Sequence, residues 1–284
     1  MFQDEIPLVR KAASQSFGDF VSQLAPDIVI KEFLTPLDSV VRDHQDSVRI
    51  FAIQNCIVVA KVIGIEMSLS IIRSLVDCLF CDPCWRVRFT CAERVIEIAA
   101  VFNHPSCVEW LLGHYIELMK DQEAEIRTMA CKEVSRFSSI LPHDLVLNHI
   151  CPSIAVLSSD ESEFVKSCLA TNMMDLCRIL PPTETKQVIV PVALKLLKDS
   201  NPDIRLNVVA RLDAIVESVG MDQISKALMP AIIDLALDRK WRTRLAIVEK
   251  IPTLGTALVG LYVIRTLTML RGWNFLSRNF RRFV

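Results

Sequence analysis

Residues 82–88 read DPCWRVR, and residues 238–244 read DRKWRTR. Both stretches begin with an aspartate, end with an arginine six residues later, and carry a tryptophan followed by an arginine between them. They lie 156 residues apart, which is four times 39. A spacing that divides in this way indicates an internal repeat.

An aspartate followed six residues later by a basic residue recurs every 39 residues, seven times and without an insertion. The first copy is Asp4 with Arg10. Because all copies share one register, we expect stacking to bring the aspartate of one repeat close to a basic residue of a neighbour, as a ladder of ion pairs near the turns. The predicted ladder residues are Asp43, Arg49, Asp82, Arg88, Asp121, Arg127, Asp160, Lys166, Asp199, Arg205, Asp238 and Arg244.

The columns around each basic residue predict two helices per repeat. Apolar residues stand three, seven and ten positions after it, which marks one stripe of an α-helix. A second apolar segment precedes each aspartate, and its Pro152, Pro191 and Pro230 are placed in the first turn of a helix. Asn201 followed by Pro202 predicts a capping side chain and the first helical residue. Each repeat is therefore predicted to be two antiparallel helices joined by a tight turn.

Helix pairs of this length predict an all-α fold, a HEAT-repeat or armadillo-like α-solenoid of stacked antiparallel helix pairs with a 39-residue period. The predicted organisation is the second helix of a truncated repeat in residues 1–22, six repeats in residues 23–258, and a basic tail in residues 259–284. The tail lacks the repeat's acids and register, so we interpret it as non-native or disordered. The chain is accordingly expected to be a truncated or alternatively processed product. Tail binding to RNA or an acidic membrane is the alternative, since aromatic residues alternate with its arginines.

Composition excludes several classes of protein. The 284 residues are 51% apolar and carry a net charge of −1. The tail holds five arginines and no acid, so the rest of the chain is acidic and does not favour a nucleic-acid surface. The acidic start is unlike a secretory signal, and the apolar stretch at 257–264 is too short to span a bilayer. We expect a cytoplasmic or nuclear protein with reduced thiols and no membrane or nucleic-acid partner.

Three cysteines, Cys78, Cys81 and Cys84, have a spacing compatible with a metal or iron–sulfur site. The fourth position of such a run is Arg88, and other cysteines occupy columns that hold Ala or Val in neighbouring repeats. We therefore interpret the buried cysteines as small apolar residues and predict no metal and no cofactor. Scattered histidines and the absence of nucleophile, phosphate-loop and zinc-protease motifs argue against an enzyme.

Trp85 and Trp241 occupy a column at the tip of the turn, where the second helix begins. The columns at the tip vary freely between repeats, as exposed positions do. Tryptophan and arginine are enriched among the anchors of protein interfaces. We therefore predict that Trp85 and Arg86 form a protein-binding hot spot; a tryptophan folded over the neighbouring turn is the alternative.

The stretches DPCWRVRFTCAERVIEIAAV, DQEAEIRTMACKEVSRF, VKSCLA, PDIRLNVVARLDAIVESVG and KWRTRLAIVEKIPTLG closely resemble the HEAT-repeat scaffolding (A) subunit of serine/threonine protein phosphatase 2A. The resemblance covers about residues 1–258. It implies a scaffold without catalysis, whose turns bind regulatory (B-type) subunits, while later turns bind the catalytic subunit. With most of the later repeats missing, binding of the catalytic subunit is expected to be weak or absent. Another HEAT adaptor, of the nuclear-transport type, is the alternative. The implied regulatory face comprises Pro7, Lys11, Gln45, Asp46, Cys84, Trp85, Arg86, Glu123 and Glu125, and the implied catalytic-subunit contacts are Trp241 and Arg242.

Overall fold

A computed structural model describes residues 1–258, and all regular secondary structure within that range is helical. The predicted all-α fold class is confirmed. The predictions for the tail, residues 259–284, lie outside the described residues. Among the described helices, none combines the length and apolar content that a bilayer span requires. The chain divides into two compact units, Met1–Ile179 and a second that begins at Leu180.

The first unit consists of one helix followed by four helix pairs. The second helix of every pair begins three residues after the recurring aspartate. The single helix is α1 (Pro7–Val21). The first pair joins α2 (Pro26–Ile28), a π turn (Val29–Phe33) and α3 (Leu34–Val41) to α4 (Asp46–Arg49) and α5 (Ala52–Ile63), and the second pair joins α6 (Ile65–Ser70) and α7 (Ile72–Phe80) to α8 (Trp85–Glu93) and α9 (Val95–Val101). The third pair joins a 3-10 turn (Pro105–Cys107) and α10 (Val108–Met119) to α11 (Ala124–Ser138), and the fourth joins α12 (His143–Leu145), a π turn (Val146–Ile150) and α13 (Cys151–Leu157) to α14 (Glu163–Asn172) and a 3-10 segment (Met173–Arg178).

The second unit contains two further helix pairs among the described residues, and the second of these pairs consists of two uninterrupted helices. They are α15 (Pro182–Glu184), a π turn (Thr185–Ile189) and α16 (Val190–Leu196), paired with α17 (Pro202–Ala210) and α18 (Leu212–Val219); and α19 (Met221–Ala236), paired with α20 (Trp241–Leu258).

The core of each unit is built from the apolar stripe of the second helices. All residues three, seven and ten positions after the basic residue are completely buried in five consecutive pairs, which confirms the predicted helical face. Removing such side chains from water is the main favourable contribution to folding. The buried stripe comprises Ala52, Cys56, Val59, Cys91, Val95, Ile98, Ala130, Val134, Phe137, Leu169, Met173, Leu176, Val208, Leu212 and Ile215.

The prolines of the first helices lie deeper in the helix than predicted. Pro152 opens the α-helical segment α13, but this segment continues directly from the π turn Val146–Ile150 and from α12. Pro191 follows a π turn in the same way, and Pro230 lies inside α19. Proline has no N–H and its ring clashes with the carbonyl four residues earlier, and the wider π turn accommodates both effects. The prediction of first-turn prolines therefore holds for α13 and α16 as separate α-helical segments, and it is wrong for Pro230, which lies inside α19.

Caps and glycines fix where the second helices start and end. The side chain of Asn201 accepts a hydrogen bond from the N–H of Asp203 at 2.8 Å, and Pro202 is the first helical residue, as predicted. Gly64 and Gly220 both have a φ of +81° and lie 156 residues apart. Each ends a second helix, and the next first helix begins at the following residue. Glycine is required there because side chains with a Cβ are strained at this φ.

Candidate functional site

Each turn is shaped by its own aspartate and, except in the turn at Asp160, by its own arginine. In the third pair of the first unit, a carboxylate oxygen of Asp121 accepts the N–H of Glu123 at 3.0 Å, and the Nη1 of Arg127 donates to the carbonyl oxygen of Asp121 at 2.7 Å. The spacing of six residues follows from this geometry, since the arginine must reach back across the turn to the aspartate's backbone. The equivalent carboxylate bonds are made by Asp43, Asp82, Asp160, Asp199 and Asp238, and the equivalent arginine bonds by Arg10, Arg49, Arg88, Arg205 and Arg244.

The same arginine also bridges to the next pair, 33 residues ahead. Nε and Nη2 of Arg88 donate to Oδ2 and Oδ1 of Asp121 at 2.7 and 2.9 Å. Two parallel bonds of this kind are short, charge-assisted and geometrically specific. We call each such pair a rung. The first unit contains the rungs Arg10–Asp43, Arg49–Asp82, Arg88–Asp121 and Arg127–Asp160, and within the second unit Arg205 contacts Asp238 at 2.7 Å. Lys166 is the basic residue of this column on α14.

Three of the rung carboxylates, those of Asp43, Asp121 and Asp160, have a pKa below that of a free aspartate. Burial alone raises the pKa of Asp43, Asp121 and Asp160, but the hydrogen bond from the partner arginine and the bond from the turn N–H lower it further, so the net shift is downward. A lowered pKa in the folded state stabilises the protein at pH values above the ordinary aspartate pKa, and this contribution disappears as the pH falls through the folded value.

We therefore expect the rung carboxylates to leave the free energy of unfolding unchanged between pH 7 and pH 5. At pH values under about 4 their protonation should lower the free energy of unfolding. Urea unfolding followed by circular dichroism at pH 7, 5 and 3.5 measures this. The Asp121→Asn variant is the control, because it has one titrating rung fewer and should lose less stability between pH 5 and 3.5. An equal loss in both proteins would contradict the assignment.

The first predicted hot spot brings side chains from two neighbouring turns together. The Cζ of Arg86 lies 5.3 Å from the centre of the Trp85 ring, within the range of a cation–π contact, and its Nη1 lies 3.6 Å from a carboxylate oxygen of Asp46. The thiol of Cys84 donates to Asp46 at 3.3 Å, which together with nearby charges lowers the pKa of that carboxyl. Arg86 is 59% exposed, and Trp85 is half-buried with its ring edge toward Phe89 at 6.5 Å. The tryptophan ring therefore lies against its own helix while its arginine faces solvent, and the protein-binding role of the pair stays a prediction.

The remaining predicted regulatory-face residues occupy equivalent positions on other turns. Pro7 is the first residue of α1 and is exposed, and Lys11 follows one turn later and is half-buried. Gln45 and Glu123 directly precede α4 and α11, and Glu125 is exposed in the first turn of α11. They share a place in the turn rather than a mutual contact.

The second unit repeats the tryptophan–arginine arrangement. Trp241 begins α20 and is 61% exposed. The Cζ of Arg242 lies 5.7 Å from the centre of its ring.

Sequence reasoning missed one exposed aromatic residue of the turns. Phe164 lies in the same column as Arg86 and is 79% exposed, and Leu8 in that column is 75% exposed. The signal was available, because Phe164 and Leu8 are the large apolar residues of a column that otherwise holds polar or charged residues.

The cysteines do not form a site in the part of the chain that the structure describes. No group of three His, Cys, Asp or Glu residues in residues 1–258 is arranged to hold a metal ion. Cys78 and Cys81 are exposed, and Cys84 is half-buried. Cys56, Cys91 and Cys131 are buried in the core, where burial raises the pKa of the thiol and makes it a poor nucleophile.

Comparison with known proteins supports the repeat class directly. Residues 106–181 match the family model described as PPP2R1A-like HEAT repeat, and residues 189–219 match the model described as HEAT repeat. Two segments of the chain therefore match HEAT-repeat models. The human 65 kDa regulatory A subunit of serine/threonine-protein phosphatase 2A, beta isoform, is 38% identical over 111 residues, which are 38% of this chain and 18% of the relative. The regulatory A subunit of protein phosphatase PP2A from Schizosaccharomyces pombe is 33% identical over 111 residues, or 37% of this chain and 18% of the relative.

These matches confirm the resemblance to the phosphatase 2A A subunit, and the alignments span less than a fifth of each relative's length. Solved structures share the fold at low identity. Cex1p superimposes with a TM-score of 0.66 at 12% identity, covering 92% of this chain and 57% of that one, and yeast importin-beta (Kap95p) with 0.60 at 14%, covering 89% and 34%. These similarities are consistent with the predicted α-solenoid class.

Proposed function

We propose that this HEAT-repeat protein is a non-catalytic scaffold that binds phosphatase 2A-type regulatory subunits through the turns of its first unit. The observation that carries the proposal is the Trp85–Arg86 pair at a turn tip, with Arg86 exposed and Trp85 half-buried, in a chain whose residues 106–181 match the PPP2R1A-like HEAT repeat. The rungs below it hold the turns in fixed register, so that side chains from several turns can be presented together.

The proposed contacts differ in chemistry along the turns. Asp46, Glu123 and Glu125 supply negative charge, while Arg86 over Trp85 supplies a cation with an aromatic platform. Trp241 and Arg242 are proposed as contacts to the phosphatase catalytic subunit, with weak or no binding expected from this single turn. Residence in the cytoplasm or the nucleus stays a prediction.

Substitution of Trp85 by alanine should weaken the capture of recombinant regulatory subunits of phosphatase 2A by about 30-fold, since central tryptophan anchors contribute about 2 kcal/mol or more to binding. Because Trp85 is only half-buried and lies at a helix start, helical content and thermal melting should change little. Surface-immobilised protein titrated with each regulatory class, together with circular dichroism, measures both effects.

Val156→Ala is the matched control, because Val156 is an apolar residue of the same unit that is 71% exposed in the last turn of a first helix and is not part of the predicted regulatory face. It should leave capture unchanged. Undiminished capture by the Trp85→Ala protein, or a large loss of its helicity, would defeat the proposed role of the turn. Co-purification of transport cargo in place of phosphatase subunits would favour the adaptor alternative.

A further inference from the structure

An apolar groove runs along the exposed face of α11. Its floor is the stripe of α11 residues at i, i+3, i+4 and i+7, formed by Glu125, Thr128, Met129 and Lys132. Phe89 on α8 forms one wall and Phe164 on α14 forms the other. The volume is about 350 Å³, at the lower end of the range for ligand sites.

Folding alone gives no reason for this groove. Phe164 is 79% exposed, so a phenylalanine here adds little to core packing and presents its ring to solvent. The hydroxyl of Thr128 donates to the carbonyl of Ala124 at 2.7 Å, so the donor on the floor is already used within the helix. What remains open is an apolar slot between two phenyl rings, which fits a large apolar side chain.

The charges around the groove indicate which residues should flank that apolar side chain in a bound segment. Glu125 forms the end of the groove nearest the turns, and Glu161 is exposed in the turn that precedes Phe164. Neither glutamate forms an ion pair with a cation among the residues that the structure describes, whereas Arg88 and Arg127 pair with the rung aspartates. Lys132 marks the far end, seven residues or about 10 Å along α11. The groove is therefore acidic at the turns and basic at its far end.

We propose that this groove binds a linear protein segment in which a large apolar side chain enters the slot between Phe89 and Phe164 and adjacent Lys or Arg residues pair with Glu125 and Glu161. This inference goes beyond the proposed scaffold function. It stands on the same unit but does not depend on phosphatase subunits as the partner.

The probes are three fluorescein-labelled peptides measured by fluorescence polarisation against the full chain. The first, GKRKGLFGS, carries a basic cluster and an apolar pair. The second replaces the apolar pair by two serines, and the third replaces the basic cluster by three glutamates. We expect the first peptide to bind at least about tenfold more tightly than either of the others, the scale of one well-buried anchor. Absence of binding by the first peptide, or equal binding by all three, overturns the proposal.

Variants locate the binding. Phe164→Ser should weaken the first peptide about tenfold, and Glu125→Lys should weaken it several-fold and flatten its salt dependence, since paired surface charges are screened by salt. Val156→Ser, an equally exposed apolar-to-polar change outside the groove, should have no effect. Full retention of binding by the Phe164→Ser protein refutes the slot. The Trp85→Ala protein separates the two proposals, because it should lose regulatory-subunit capture while retaining the peptide.

Discussion

Replacement of Arg88 by alanine should lower the free energy of unfolding by about 3–5 kcal/mol, the range observed when one partner of a buried ion pair is removed. Only 18% of the Arg88 side chain and 9% of the Asp121 side chain are exposed. The substitution leaves the Asp121 carboxylate with its turn N–H but without a cation, and it also frees the carbonyl oxygen of Asp82. Urea unfolding at pH 7, followed by circular dichroism, measures the loss.

Arg42→Ala is the matched control, because Arg42 pairs with Asp38 at a similar distance of 2.8 Å but both side chains are about half exposed. That change should lower the free energy of unfolding by no more than about 1 kcal/mol. Adding Asp121→Asn to Arg88→Ala should recover part of the loss, since the asparagine can keep the turn bond without a buried charge. Equal effects of Arg88→Ala and Arg42→Ala would show that the rungs contribute no more than surface pairs.

Replacement of Phe137 by alanine should lower the free energy of unfolding by a similar amount, about 3–5 kcal/mol, for a different reason. Phe137 is completely buried in α11 and stacks on Tyr115 of α10 with ring centres 4.0 Å apart. The tyrosine hydroxyl donates to the carbonyl oxygen of Ala130 at 2.6 Å, so the two helices of the pair are joined by a ring stack and a hydrogen bond. Truncation leaves a cavity beside Tyr115 and removes the stack.

Phe164→Ala provides the comparison, since it removes the same atoms from a side chain that is 79% exposed. Its effect on unfolding should stay within about 0.5 kcal/mol. If Phe137→Ala lowered the free energy of unfolding by no more than Phe164→Ala does, the two helices of this pair would not depend on their aromatic contact.

The repeat could be predicted because its two signals obey simple geometry. Aspartate and arginine recur at one spacing since both are tied to the same turn, and the apolar columns recur since each second helix buries the same stripe. The 39-residue spacing alone does not show whether each arginine contacts its own aspartate or that of the next repeat. Arg88 bonds the backbone of its own Asp82 and the side chain of the next aspartate, Asp121, and both partners have the same residue type.

Other features of the structure depend on contacts that cannot be predicted by comparing equivalent positions of the repeats. The π turns before Pro152 and Pro191 arise from the need to keep a helix continuous through a proline, which a pattern of apolar residues does not reveal. The groove on α11 requires side chains from three helices of different pairs, and Phe89 and Met129 read as ordinary helix residues until their neighbours are known. The sequence pattern therefore predicted residues of the turns but not the groove beside them, because the groove combines residues from three helices.

The rungs give the first unit an uneven elasticity. Paired charge-assisted bonds are short and directional, so drawing two neighbouring turns apart breaks them after a small displacement. Apolar contacts between helices carry no such directionality and allow sliding with a smaller loss of energy. Flexing within this unit would therefore pivot about the edge formed by the turns. A protein bound along that edge would contact the surface on which the distances between neighbouring repeats change least.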